Sequence, residues 1–208
     1  MHSTHYISAW RRYGARGVLL NLLERICACV RIEVRHMTLL AHPLERVTPA
    51  EPLPAWQELR FADFERHQGD DPRWFTPSKM ERLARAYRPP GSRAVGCVVD
   101  GRLVAYGWIS EQYMGYSRLK LADGDGYLWD DYTHPDYRGQ GWHGALIRIR
   151  EQLLLQAGKQ RALSVVARFN RASRRGFERI GYLPLEHYRF GRWWGRRFST
   201  LRYAKEAV

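Results

Sequence analysis

The stretch from Gly126 to Leu155, GYLWDDYTHPDYRGQGWHGALIRIREQLLL, leaves the chain the fewest choices. Tyr127 to Thr133 is rich in aromatic and β-compatible residues and reads as a strand. Pro135 follows where that strand must stop, because proline has no N–H for a central ladder. Arg138-Gly139-Gln140-Gly141 then permits a tight turn, and from about Trp142 the apolar positions Ala145, Leu146, Ile149 and Leu153 recur at helical spacing. A glycine-rich turn feeding a helix presents backbone N–H groups at the positive end of the helix dipole. That arrangement suits a phosphate.

These residues resemble the acyl-CoA-binding motif of the GNAT acetyltransferase superfamily, whose pattern is Arg/Gln-x-x-Gly-x-Gly/Ala. Arg138, Gly139, Gln140, Gly141 and Trp142 fit it, and His143 stands where the second small residue is expected, with Gly144 behind it. The histidine adds a side chain near the pyrophosphate but keeps the backbone donors. Asn170-Arg-Ala-Ser-Arg-Arg-Gly-Phe177-Glu-Arg-Ile-Gly181-Tyr182 resembles the family's later motif, in which an Asn opens a short helix that a Gly-aromatic pair closes. Local physics agrees, since Asn170 is a good N-cap and Gly181 a good C-terminal stop. A strand over Gln160–Phe169 precedes it. The resemblance runs from roughly Glu58 to Tyr203.

It implies an α/β fold with a central mixed sheet flanked by helices, and residues 51–208 as the acyltransferase domain. It also implies an N-acyltransferase that takes an acetyl or other short acyl group from acetyl-CoA, without a metal, and gives it to an amine. The end of the Tyr127–Thr133 strand would meet the pantetheine arm, with the backbone at Thr133 near the thioester carbonyl. The N–H groups from Gly139 to Gly144 and the side chain of Arg138 would hold the pyrophosphate, and Asn170 would contact the pantetheine. Many relatives carry a tyrosine general acid seven residues after that Asn; Phe177 stands there and has no proton to give. Tyr182 or Tyr137 is left to substitute.

For the base, simple alternation puts Tyr127, Trp129, Asp131 and Thr133 on one strand face and Leu128, Asp130 and Tyr132 on the other. A carboxylate within an aromatic strand is costly to bury unless it has a partner or a task. Asp130 or Asp131 is therefore a candidate ligand for the acceptor amine or a base acting through water. The competing reading is a carboxylate paired with one of the many arginines. His134 and His143 titrate in the useful range but read more readily as loop or cofactor-contact residues.

The remaining chain fits around this centre. Trp56–Arg60 reads as the first strand of the domain, Asp63 lies near the start of a short helix, and Ser78–Tyr87 is a helix stopped by Pro89-Pro90-Gly91. Arg93–Val99 and Arg102–Ile109 form a hairpin about Asp100-Gly101. Glu111–Asp125 is a long connection. Tyr182–Phe190 and Arg196–Ala204 close the sheet around a turn at Gly191–Gly195. Residues 1–50 read as an N-terminal helical extension with an extra strand near Arg35–His42, joined by a proline-rich linker at Val47–Pro54. Arg11, Arg12, Arg16 and Arg25 beside Leu19, Leu20, Leu22, Leu23 and Ile26 are compatible with lying on an anionic membrane. Packing on the domain, or on a second copy to give a homodimer, is the favoured role.

The net charge is +13, and between Gly158 and Val208 13 Lys and Arg face three acidic residues. Such a field attracts anions, including the phosphates of coenzyme A or an acidic acyl carrier protein bringing a longer chain. A non-catalytic CoA-binding module is a further reading that the missing tyrosine allows. Trp193 and Trp194 among arginines are also compatible with stacking on single-stranded nucleic acid, though no nucleic-acid-binding fold accompanies them. Cys27, Cys29 and Cys97 form no zinc pattern; the odd count, with no secretory signal, points to a reducing, cytoplasmic setting. No apolar run reaches membrane-spanning length.

Overall fold

A computed structural model describes residues 32–47, 56–89, 91–111, 119–194 and 196–202. The helices expected before residue 32, the proline linker after Val47 and residues 112–118 of the Glu111–Asp125 connection lie outside the described residues. Among the described residues there are eight strands and four α-helices, an α/β architecture. The strands are β1 Ile32–Pro43, β2 Trp56–Leu59, β3 Arg93–Val99, β4 Arg102–Ser110, β5 Asp125–Thr133, β6 Arg161–Ala167, β7 Leu183–Trp193 and β8 Arg196–Ser199. The helices are α1 Phe61–His67, α2 Pro77–Ala86, α3 Trp142–Gln156 and α4 Arg171–Ile180. Two compact units are distinguished. One holds β2–β5 and α1–α3; the other holds most of β1 and β6 with α4, β7 and β8.

In the first unit the strands run β2-β3-β4-β5 with every neighbour antiparallel. The β3–β4 hairpin turns at Asp100 and Gly101, both at positive φ (+49° and +74°), the backbone of a two-residue primed turn. α1 begins with a bond from the Arg60 N–H to the Asp63 carboxylate (2.8 Å). α2 begins with Thr76 accepting from the Lys79 N–H and Pro77 in its first turn. Phe64, Phe75 and Leu83 from the α1–α2 region bury themselves against Leu59, Ala94, Tyr106, Trp108 and Tyr132. Phe64 meets Tyr106 edge-on at 5.0 Å and stacks on Trp108 at 6.1 Å.

β5 departs from the expected alternation. Trp129 lies opposite Trp108 while Tyr132 lies opposite Tyr106, so β5 spends one residue more than β4 between these pairs. The extra residue is accommodated at Asp130, whose φ is +54°. The alternation predicted from sequence is therefore corrected: Trp129 and Tyr132 both join the aromatic cluster, and Asp131 is turned away from them.

In the second unit the order is β6-β1-β7-β8. The strand anticipated near Arg35–His42 is longer and interior, pairing with β7 from Ile32 opposite Trp193 to Ala41 opposite Leu183. α4 opens on Asn170, whose side chain accepts from the Ser173 N–H (3.3 Å), and ends at Gly181 with φ +117°. The turn expected over Gly191–Gly195 is shorter, because β7 continues through Trp193 and Trp194 carries the positive φ (+51°).

Phe64→Ala should cost about 3–5 kcal/mol, as expected for removing a buried aromatic side chain. Urea denaturation should show the midpoint falling while the slope is kept.

Candidate functional site

The site is built where β5 leaves the sheet and the chain turns into α3. His134 opens a 3-10 turn at Pro135–Tyr137 and its Nδ1 accepts from the Asp136 N–H (3.3 Å). The Arg138 Nε donates back to the Thr133 carbonyl (3.2 Å), tying the turn to the strand end. Gly139 (φ +81°) and Gly141 (φ +86°) take backbone that other residues adopt at a cost, and nothing lies within 4 Å of where their side chains would begin. Gly141 is the N-cap of α3 and offers no side chain to it. The first-turn N–H groups of Trp142, His143 and Gly144 thus start a helix that no side chain caps. Gln140 donates to the Asp136 carbonyl and accepts from the Trp142 indole (3.2 Å). The predicted pyrophosphate residues are brought together in one open turn.

The two aspartates diverge because of the bulge. Both oxygens of Asp130 accept from the Lys79 ammonium at 2.6 Å. Lys79 is buried on α2, with its nitrogen over the Trp74 ring at 4.6 Å and 5.7 Å from the centre of Tyr106. Burial lowers its pKa, and Asp130 opposes that shift. Around this pair, Tyr132 donates to Asp71 (3.0 Å) and the Trp74 indole donates to the Tyr106 hydroxyl (2.9 Å). The Leu103 N–H donates to Asp70 (3.0 Å), fixing the loop before α2.

Asp131 faces α3 instead, meeting Arg150 Nη2 at 2.5 Å and His143 Nε2 at 3.2 Å. Arg150 has no exposed surface and also donates to the carbonyls of Leu146 and Trp108 (both 3.1 Å). A side chain on Gly107 would run into Arg150 and Asp131, so that glycine makes room for the pair. Burial alone would push the Asp131 carboxyl up; Arg150 and His143 more than reverse this and hold it at about 2. At neutral pH Asp131 is a fixed anion that orients His143, a poor acceptor of a further proton.

Asn170, Phe177 and Tyr182 belong to the other unit. Phe177 and Tyr182 are both 1% exposed and meet edge-on at 4.8 Å, with the Tyr182 N–H bonded to the Phe177 carbonyl. Lys79 and Arg150 were not anticipated. The available signal was a cation within an apolar helical stripe: Lys79 with Leu83 and Ala86, Arg150 with Leu146 and Leu154. Among the described residues, no group of three or more His, Cys, Asp or Glu is arranged to hold a metal ion, and no helix is long and apolar enough to cross a membrane.

Asp131→Asn should destabilise the protein by about 3 kcal/mol at neutral pH by stranding the buried Arg150. The folded pKa of Asp131 is depressed, so its contribution is complete above the ordinary carboxylate range and fades as pH falls through about 2. Denaturation of parent and variant should therefore differ by a constant amount down to about pH 4 and converge as the pH is lowered from there towards 2.

Residues 53–182, well over half of the chain, match the sequence pattern of the acetyltransferase (GNAT) family. No curated protein matches the sequence. A putative GNAT-family acetyltransferase from Novosphingobium aromaticivorans superposes with a TM-score of 0.57 at 18% identity, covering 76% of this chain and 64% of that one. The present chain thus spans less than two thirds of that relative's length. An aminoglycoside antibiotic 6'-N-acetyltransferase from Acinetobacter haemolyticus gives 0.52 at 18% identity, over 63% of this chain and 92% of its own. An aminoglycoside N-acetyltransferase in complex with CoA gives 0.50 at 14% identity, over 63% and 92%. At these identities the likeness concerns the fold.

Proposed function

The chain belongs to the acetyltransferase (GNAT) family, and from that premise we propose that it is an N-acyltransferase moving an acetyl or other short acyl group from acyl-CoA to an amine. One observation carries this reading. A bulged strand runs into an open glycine turn and a helix start without a capping side chain, beside Arg138. The residues fit a pyrophosphate: room at Gly139 and Gly141, aligned N–H groups of Trp142, His143 and Gly144, and a cationic side chain. Acyl-CoA supplies the thioester carbonyl that the amine attacks.

The chain's own residues then have distinct tasks. Arg138 and the glycine turn bind the phosphates, and Thr133 at the end of β5 meets the pantetheine arm. Asp130, turned towards α2 and still 23% exposed, serves as ligand for the acceptor amine, its proton leaving through water. Asp131 keeps His143 and α3 in place instead of taking that proton. Phe177 lacks a hydroxyl and Tyr182 is buried, so the departing thiolate takes its proton from the attacking amine or from water. The rest of the rate comes from holding both reactants together.

Arg138→Glu should raise the Kd for CoA about tenfold or more by opposing the phosphate charge. Calorimetric titration checks this, and an unchanged Kd would place the cofactor elsewhere. Parent protein with no CoA affinity would direct the search to a carrier-protein donor. Asp130→Asn should lower kcat/KM for the amine by about 10²-fold while leaving CoA affinity intact; full activity in steady-state assays would remove Asp130 from the acceptor site.

A further inference from the structure

The β7–β8 hairpin ends in a feature that acyl transfer does not use. Trp193 and Trp194 are 61% and 79% exposed, although an indole is among the largest apolar surfaces a chain can bury. Across the hairpin, Trp193 lies opposite Arg196 and Arg192 opposite Arg197. Residues opposite each other share a face, so exposed arginines occupy both faces behind the indole at the turn. On the adjoining end of β1, Glu33 lies opposite Arg192 and meets Arg35 at 2.8 Å, one acidic residue beside several arginines. Trp193, Trp194, Arg196, Arg197 and Phe198 together line a shallow, open depression.

We infer that this hairpin tip docks on an anionic membrane surface. The order of groups matches the layers of a bilayer interface: indoles settle at headgroup level, and guanidinium groups just behind them meet lipid phosphates. Single-stranded nucleic acid would meet the same charges, but its bases stack on aromatics spaced along a charged groove. The two adjacent tryptophans stand at a turn instead. The sequence also carries a second basic, leucine-rich stretch around Arg11–Ile26, and peripheral binding ordinarily needs two signals.

The test is co-sedimentation of the full chain with phosphatidylcholine vesicles, with and without phosphatidylglycerol, at low and high salt. Binding to the anionic vesicles, weakened by salt, is expected. Trp193→Ser with Trp194→Ser should weaken it by about tenfold or more while leaving thermal melting and the CoA response as in the parent. Arg196→Glu with Arg197→Glu, which keeps both indoles, should weaken it comparably and supplies the answer if the tryptophan variant folds poorly. Equal binding to neutral and anionic vesicles, or parent-like binding by both variants, overturns the inference. Capture by a single-stranded oligonucleotide under conditions where the vesicles capture nothing overturns it in favour of nucleic acid.

Discussion

Left-handed backbone at Asp130 governs the geometry of the site. An L-residue at φ +54° is unusual, and aspartate is among the few types that tolerate it, since its short polar side chain can bond locally. The extra residue lets Trp129 and Tyr132 both face the aromatic cluster. It also sends two consecutive carboxylates to different helices, Asp130 to Lys79 on α2 and Asp131 to Arg150 on α3. A regular strand would still place the two on opposite faces, but it would put Asp131 beside Trp129 and Asp130 beside Tyr132.

Buried charge then ties the helices to the sheet. Arg150 bridges Asp131 and the carbonyl of Trp108, and on the next residue of α3, Glu151 meets His42 at 2.8 Å with both side chains nearly inaccessible. Such pairs contribute little net stability, because desolvation offsets most of the attraction. Their effect is positional: breaking the first strands a charge and breaking the second loses a buried hydrogen bond, so α3 has few other ways to sit. The start of α3 is the glycine turn, and fixing the helix fixes the direction of its first N–H groups. His143 belongs to the same network, which accounts for a side chain where the family pattern has a small residue.

The hairpin tip follows a different logic. Its indoles are exposed, so folding gains little from them, and the membrane contact inferred above is where they act.

Features set by local chemistry can be read directly from the residues. Glycine at 139 and 141, proline at 135, Asn170 and Gly181 at the ends of α4, and Asp100-Gly101 in the hairpin each act through the backbone of their immediate neighbours. The strand, the glycine turn and the helix that follows it were therefore legible in the residues themselves. The bulge was not, because an added residue is defined only against the partner strand, and Asp130 resembles any other strand residue until Trp108 and Tyr106 are seen opposite Trp129 and Tyr132. The partners of the two aspartates were equally hidden. Lys79 and Arg150 lie 51 and 19 positions from them, and only the packing of α2 and α3 on β5 decides which cation reaches which carboxylate. The interior place of β1 was hidden for the same reason: strand order depends on pairing between residues distant in the chain, here Ile32–Ala41 with Leu183–Trp193.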